Sequence, residues 1–114
     1  MKKDDKIYLT HILDSINRIQ DYTHDMTKEE FLKSDIAQDA VIRNFEIIGE
    51  AVKNLSSEFR TNHKDIGWRK VAGMRDKLIH DYIGVDIWSI WGVVVDILPT
   101  FKKQIIEINN KLEE

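Results

Sequence analysis

The sequence predicts an all-α fold, an up-and-down bundle of four long helices with one short helix added. Three observations lead there. One proline and five glycines in 114 residues leave too little punctuation for the many turns of a β protein. Apolar side chains recur at three- and four-residue steps through most of the chain. Residues that cap helix starts, Thr27, Ser34 and Asp86, stand just ahead of such stretches.

The elements follow in order. Tyr8, Ile12, Ile16 and Ile19 lie on one helical stripe and predict a helix over 5–23, closed by Asp21 to Thr27. Thr27-Lys28-Glu29-Glu30 has the capping-box pattern, in which the Thr27 hydroxyl and the Glu30 carboxylate each satisfy a free amide, and it predicts a short helix over 28–33. Ser34 and Asp35 supply the next cap. From there Ile36, Ala37, Ala40, Val41, Ile48, Ala51, Val52, Leu55 and Phe59 predict a long amphipathic helix to about residue 60. Gly49 inside it weakens it slightly and permits close packing. Thr61 to Gly67 is a polar loop, a helix is expected over 68–82, Gly84 is placed to end it, and Asp86 to cap the next. The last helix begins DIWSIWGVVVDIL, and Pro99 is expected to kink or divide it near Leu98. Ile105, Ile108 and Leu112 carry its stripe to the C-terminus.

Trp88 and Trp91, with Ile87, Ile90, Val94 and Val95, give this last helix more apolar surface than one side of a small bundle needs. Either it is a central helix contacted by several others within one chain, or a homodimer buries the surplus by symmetry. The homodimer is the preferred reading.

Composition bounds the function. Residues 1–114 fit a single domain, since two would each be too small to hold a core. The chain has no cysteine, which excludes a disulfide framework, a thiolate zinc site and a cysteine nucleophile, and makes an intracellular setting the default. Charged and polar residues interrupt MKKDDKIYLTHILDS, so no export signal is read there. Asp86, Asp96 and Pro99 interrupt the most apolar segment, Ile83 to Phe101, so no membrane span is expected. A soluble, cytoplasmic protein is the expectation. A formal net charge of −3 argues against a broad basic surface that holds nucleic acid by phosphate neutralisation alone. Only the middle third is net positive, with eight basic and six acidic side chains over residues 43–82. No glycine-rich phosphate loop and no serine elbow occur. His11, His24 and His63 are isolated and show no paired spacing, so neither a metal site nor a cofactor is expected.

The chemistry concentrates in the stretch GMRDKLIHDY, Gly73 to Tyr82. Histidine exchanges protons near neutral pH, and arginine neutralises phosphate oxygens through a planar fork of donors. Together they meet the main needs of RNA cleavage by transesterification. His80 would take the proton of the ribose 2′-hydroxyl or protonate the leaving 5′-oxygen, and Arg75 would stabilise charge on the phosphorane-like transition state. Asp76, four residues before His80, can orient the ring and raise its basicity. At about 100° per residue, Arg75 and His80 stand about 140° apart around a helix, whereas Arg75 and Tyr82 lie within about 20°. Either the arginine reaches round, or the helix frays near His80, or the site lies at a dimer seam. On spacing alone the stretch reads first as a solvated helix face with local ion pairs, with His80 a partly buried polar residue and Tyr82 in the core. Arg43 and Glu46 are either a surface pair or support for a site, and Arg43 lies near the buried stripe between Ile42 and Phe45.

The segment Arg75-Asp76-Lys77-Leu78-Ile79-His80-Asp81-Tyr82 matches an R-x-x-x-x-H-x-Y motif with a polar residue after the arginine. With IRNFEIIGEAVKNLS (42–56), WRKVAGMRDKLIHDY (68–82) and GVDIWSIWGVVVDILP (84–99) around it, the chain resembles the HepT-like toxins of the HEPN superfamily over nearly its whole length. That resemblance implies an all-helical homodimer and a metal-independent ribonuclease whose paired motifs line a cleft between subunits, with Arg75 and His80 catalytic and Asp76 assisting. It also implies a type VII toxin–antitoxin system whose antitoxin, a MntA-like minimal nucleotidyltransferase, transfers AMP from ATP to Tyr82. Adenylate there would put negative charge and bulk beside Arg75 and His80 and obstruct RNA. The alternative from another class is a noncatalytic helical module that binds a nucleotide or serves as the substrate-binding partner of such a nucleotidyltransferase.

Overall fold

The computed structural model describes residues 3–80 and 86–112, the side chains of residues 3, 79, 80 and 112 apart. Every regular element among the described residues is helical: α1 (Lys3–Thr23), α2 (Lys28–Lys33), α3 (Asp35–Asn54), α4 (Ser57–Asn62), α5 (Trp68–His80), α6 (Ile87–Gly92), a wide π turn (Val93–Ile97) and α7 (Leu98–Leu112). With α6, the π turn and α7 running on without interruption, the described residues form four long helical rods and two short helices. This is the all-α bundle expected, with one short helix more.

Local chemistry sets the starts. The Glu30 N–H donates to the Thr27 hydroxyl at 3.2 Å while the Thr27 N–H donates to the Glu30 carboxylate at 2.9 Å, the reciprocal pair of a capping box. The Ser34 hydroxyl accepts from the Ala37 N–H at 3.1 Å, and Asp86 accepts from the Trp88 N–H at 3.0 Å and the Ser89 hydroxyl at 2.9 Å. The proposed end of α5 at residue 82 and the stop at Gly84 lie outside the described residues.

Two expectations are corrected. The long helix does not run to residue 60. It ends at Asn54, Leu55 turns extended, and Ser56 caps α4 by accepting from the Phe59 N–H at 3.1 Å. The cause lies far away in sequence: the buried Asp5 carboxylate accepts from both the Ser56 N–H and the Ser56 hydroxyl, each at 2.7 Å. The second is a matter of kind: the last helix changes its winding at Leu98, next to Pro99, but does not break there. The turn just before it widens, with the Leu98 N–H reaching back five residues to the Val93 carbonyl, and the helix continues through Pro99. A π turn makes room for a ring that would otherwise press on the preceding turn, and it spares an N–H that proline lacks.

α3 is the central helix, packed on α1 along one side and on α5 along the other, with α7 also against α1 and α2 joining α3 to α6. The core is one cluster in which Leu9, Ile12, Ile16, Ile19, Phe31, Phe45, Ile48 and Ile105 are all but sealed from solvent. Burying each such side chain contributes about 1.5–3 kcal/mol against leaving it exposed. The last rod is not the hub of the bundle. Trp91 packs on Phe31 with ring centroids 5.1 Å apart, while Trp88, Val95 and Ile97 remain half or more exposed and the Lys28 ammonium lies 3.9 Å over the Trp88 ring. No described helix is long and apolar enough to cross a membrane.

Candidate active site around Arg75

α5 is pinned at its first residue. The Trp68 indole N–H donates to the His63 carbonyl at 3.0 Å, its backbone N–H donates to the Ile66 carbonyl at 2.8 Å, and its ring lies among Phe59 and Phe101. From that anchor α5 crosses α3 closely, and the crossing falls where Gly49 faces Arg75. A Cβ on Gly49 would lie 3.2 Å from the Arg75 Cα and 2.7 Å from its Cγ, so the backbones meet only because that residue has no side chain.

The close crossing holds the guanidinium between carboxylates. The Arg75 Nη2 lies 2.8 Å from the Glu50 Oε2 and its Nη1 lies 3.1 Å from the Asp76 Oδ1. The Lys53 ammonium donates to the same Asp76 oxygen at 2.9 Å. Four charges alternate along the α3–α5 seam, and Arg75 itself is only 22% exposed. Its Nε is buried with no hydrogen-bond partner among the described residues. The hydrogen bond from Lys53, followed by that from Arg75, holds the Asp76 carboxyl below the ordinary aspartate value. Asp76 is therefore ionised at neutral pH, a hydrogen-bond acceptor and not a proton donor.

Arg75 opens on a cleft of about 230 Å³ between α1, α3 and α5. Tyr8 and His11 line it from α1, Arg43, Glu46, Ile47, Glu50, Ala51 and Asn54 from α3, and Arg75 from α5. Arg43 is largely exposed and pairs loosely with Glu46 at 3.5 Å, so the pair noted in the sequence borders the same cleft. A larger groove of about 580 Å³ lies between α3, α5 and the π turn, but its lining is mostly apolar and it does not include Arg75.

The structure thus brings Arg75 and Asp76 together. The backbone of His80 ends α5, but its side chain and the whole of Tyr82 lie outside the described residues. The sequence does not mark Glu50, Lys53, His11 or Tyr8 as site residues. The first two meet α5 across a helix crossing, which spacing along one helix does not reveal. Tyr8, on the core stripe in sequence, is only half-buried against the core, and His11, one turn on, shares its face. His24 pairs with Asp25 at 3.3 Å, and the His63 ring packs tilted against Phe59 with centroids 4.6 Å apart. Among the described residues no group of three or more histidines and carboxylates is placed to hold a metal ion.

The helices thus hold a largely buried arginine fork above a cleft, and comparison with known proteins gives the class. The chain belongs to the HepT-like ribonuclease family, whose model matches residues 12–108. It is 50% identical, over its whole length, to a protein of Methanocaldococcus jannaschii described as a gamma-glutamylcyclotransferase and candidate RNase, and it spans about half (51%) of that protein. It is 45% identical over 112 residues to a second candidate RNase of that organism, covering 98% of this chain and 93% of the relative. A protein of Thermococcus cleftensis described as a probable ribonuclease HepT is 45% identical over 102 residues, 90% of this chain and 93% of the relative. No solved structure matches the chain at a significant level. By family it is a ribonuclease.

Proposed function

We propose that the protein is a metal-independent endoribonuclease toxin in which Arg75 and His80 cleave RNA by transesterification and Asp76 assists. The observation that carries this reading is the state of Arg75: a largely buried guanidinium, fixed by Glu50 and Asp76 and opening on a polar cleft. Such a group is prepared to meet charge on a phosphoryl oxygen without reorganising. Asp76, kept ionised by Lys53 and Arg75, can hold the arginine and accept a hydrogen bond from His80 one turn later. No step requires a metal.

The protein acts in the cytoplasm as a homodimer. The exposed Trp88, Val95 and Ile97 on the last rod favour association, since apolar surface left in water is available to a partner. Its antitoxin is a MntA-like minimal nucleotidyltransferase that adenylylates Tyr82, in a type VII system. These assignments rest on family likeness and on the R-x-x-x-x-H-x-Y segment.

The test is cleavage of RNA in EDTA by the purified protein, by Arg75→Ala and by His80→Ala. Wild type should cut and both variants should lose most of the activity; equal cutting by the variants would mean a contaminant. Incubation with such a nucleotidyltransferase and ATP should add adenylate to the wild type and not to Tyr82→Phe, as read by intact mass. If ATP or the partner binds tightly while RNA is never cut, the protein is instead a noncatalytic binding module.

A further inference from the structure

We propose that a basic groove beside the Arg75 seam binds the backbone of single-stranded RNA, holding phosphates that flank the one being cut. Its place in the reaction rests on the reading of Arg75 as an RNA-cleaving residue. The chain is net acidic, but its positive charge is unevenly spread. Residues 53–70 carry five basic side chains, Lys53, Arg60, Lys64, Arg69 and Lys70, against two acidic ones, Glu58 and Asp65. All five basic residues line one open groove of about 1050 Å³, and its lining includes no carboxylate. A groove lined by one sign of charge concentrates a positive potential that the formal net charge of −3 conceals.

The fold assembles the groove from the end of α3, from α4 and from the start of α5. α3 stops at Asn54 and Asp5 fixes the turn at Ser56, so that Phe59 of α4 meets the Trp68 ring of α5 at 6.0 Å. Ser57, Arg60 and Thr61 share one face of α4 and form one wall, and Arg69 and Ala72 of α5 form the other. Among the described residues, Arg60, Lys64, Arg69 and Lys70 make no ion pair. The buried Arg60 Nε also has no hydrogen-bond acceptor there. Lys53 is held by Asp76 at 2.9 Å, and that bond joins the groove to the site, because Asp76 also pairs with Arg75. Arg69, Ala72 and Asp76 form a row along α5, three and four residues apart. Arg69 therefore lies about 9 Å along the helix axis from Arg75, a distance that a few nucleotides of single strand cover. The aromatic ring in the wall, Trp68, is only 5% exposed and belongs to the core, so it gives bases no platform to stack on. Contacts then fall on phosphates, which raise affinity for any strand without reading its sequence. Carboxylates of an acidic protein would meet the same cations, but the continuity with Arg75 favours the strand whose scissile phosphate Arg75 holds.

The experiment reads binding apart from cutting, by fluorescence anisotropy of a labelled 2′-O-methyl oligoribonucleotide of about 12 nucleotides, which has no free 2′-hydroxyl to attack phosphorus. The groove variant combines Lys64→Gln, Arg69→Gln and Lys70→Gln, all exposed positions whose loss should leave the melting temperature unchanged. The control combines Arg18→Gln, Lys103→Gln and Lys111→Gln, which removes the same charge from exposed positions elsewhere. In about 0.1 M salt the groove variant should bind about 10–10²-fold more weakly, and its slope of log affinity against log salt should be shallower by about 2. The control should stay within about threefold of wild type, since its charges lie more than a screening length from the bound strand. On cleavable RNA of the same length the groove variant should show a raised KM and an unchanged kcat. A dinucleotide, whose single phosphodiester is the one at Arg75, should be cut at the wild-type rate. Wild-type binding by the groove variant, or an equal loss in the control, would overturn the groove and leave the RNase reading standing. Poly-L-glutamate that binds as tightly as the RNA, and loses affinity in the same variant, would make this a site for an acidic protein and overturn the assignment to RNA. If wild type binds RNA through these residues but cuts none, the RNase reading fails and the groove remains an RNA-binding surface.

Discussion

Replacing Gly49 by alanine separates helix propensity from packing, because the two predict opposite signs. In an open helix interior the change should stabilise by about 1 kcal/mol, since alanine loses less backbone entropy on folding. At this crossing the new methyl would sit 2.7 Å from the Arg75 Cγ and 3.2 Å from its Cα, where carbon atoms prefer about 3.5–4.0 Å. The Arg75 Cβ stands closer still, and neither it nor the Cα is moved by side-chain rotation, so α5 must retreat from α3 by about 1.5 Å or more. A clash this close belongs toward the upper end, about 2–3 kcal/mol, of what overpacking costs, which leaves a net loss of about 1–2 kcal/mol. The retreat also draws Arg75 off the Glu50 carboxylate, now 2.8 Å away, and a displacement of about 1 Å in a positioned group can cost about 10²-fold in rate. Urea denaturation and RNA cleavage on the same preparation read both effects. A variant about 1 kcal/mol more stable than wild type, cutting RNA at the wild-type rate, would refute the close crossing and its role in setting Arg75.

Other perturbations reach different parts of the structure. Asp5→Ala should destabilise by about 3–5 kcal/mol in urea titration, because it strips a buried acceptor from the Ser56 N–H and hydroxyl; a loss under about 1 kcal/mol would mean the link does not hold α4 to α1. Arg75→Lys keeps the charge but loses the planar fork, so cleavage should fall by at least about 10²-fold while the melting temperature moves little. Asp76 has a folded-state pKa below its ordinary value of 3.8, so its bonds to Lys53 and Arg75 contribute stability that is present above that value and lost as pH falls through the lower one. The stability gap between wild type and Asp76→Asn should accordingly be flat at neutral pH and close in acid, as followed by denaturation at stepped pH; a gap that opens in acid would reverse the sign.

What the sequence revealed depended on the range of the interaction. The caps at Thr27, Ser34 and Asp86 act within three residues, and each was legible from its own tetrapeptide. The break after Asn54 was not, because the apolar stripe runs on through Leu55 and Phe59, both buried, while the partner that fixes Ser56 is 51 residues away. Pro99 carried a correct warning of local disturbance, but the choice between a break and a widened turn depends on how the surrounding helix relaxes, which one residue does not encode. Arg75 and Asp76 could be nominated because a dense local motif holds them. Glu50 and Lys53 become visible only when α3 and α5 cross, and His11 only when α1 lies along the other side of α3. Gly49 falls between these cases, since its place in a long helix suggested a close contact without saying against what.

The most direct test of whether Arg75 and His80 form a metal-free nuclease is the end chemistry of a defined oligoribonucleotide cut in EDTA. Wild type should yield 2′,3′-cyclic phosphate and 5′-hydroxyl ends, and Arg75→Ala should yield neither at a measurable rate. Products bearing 5′-phosphates, or cyclic phosphate formed as fast by Arg75→Ala as by wild type, would contradict it.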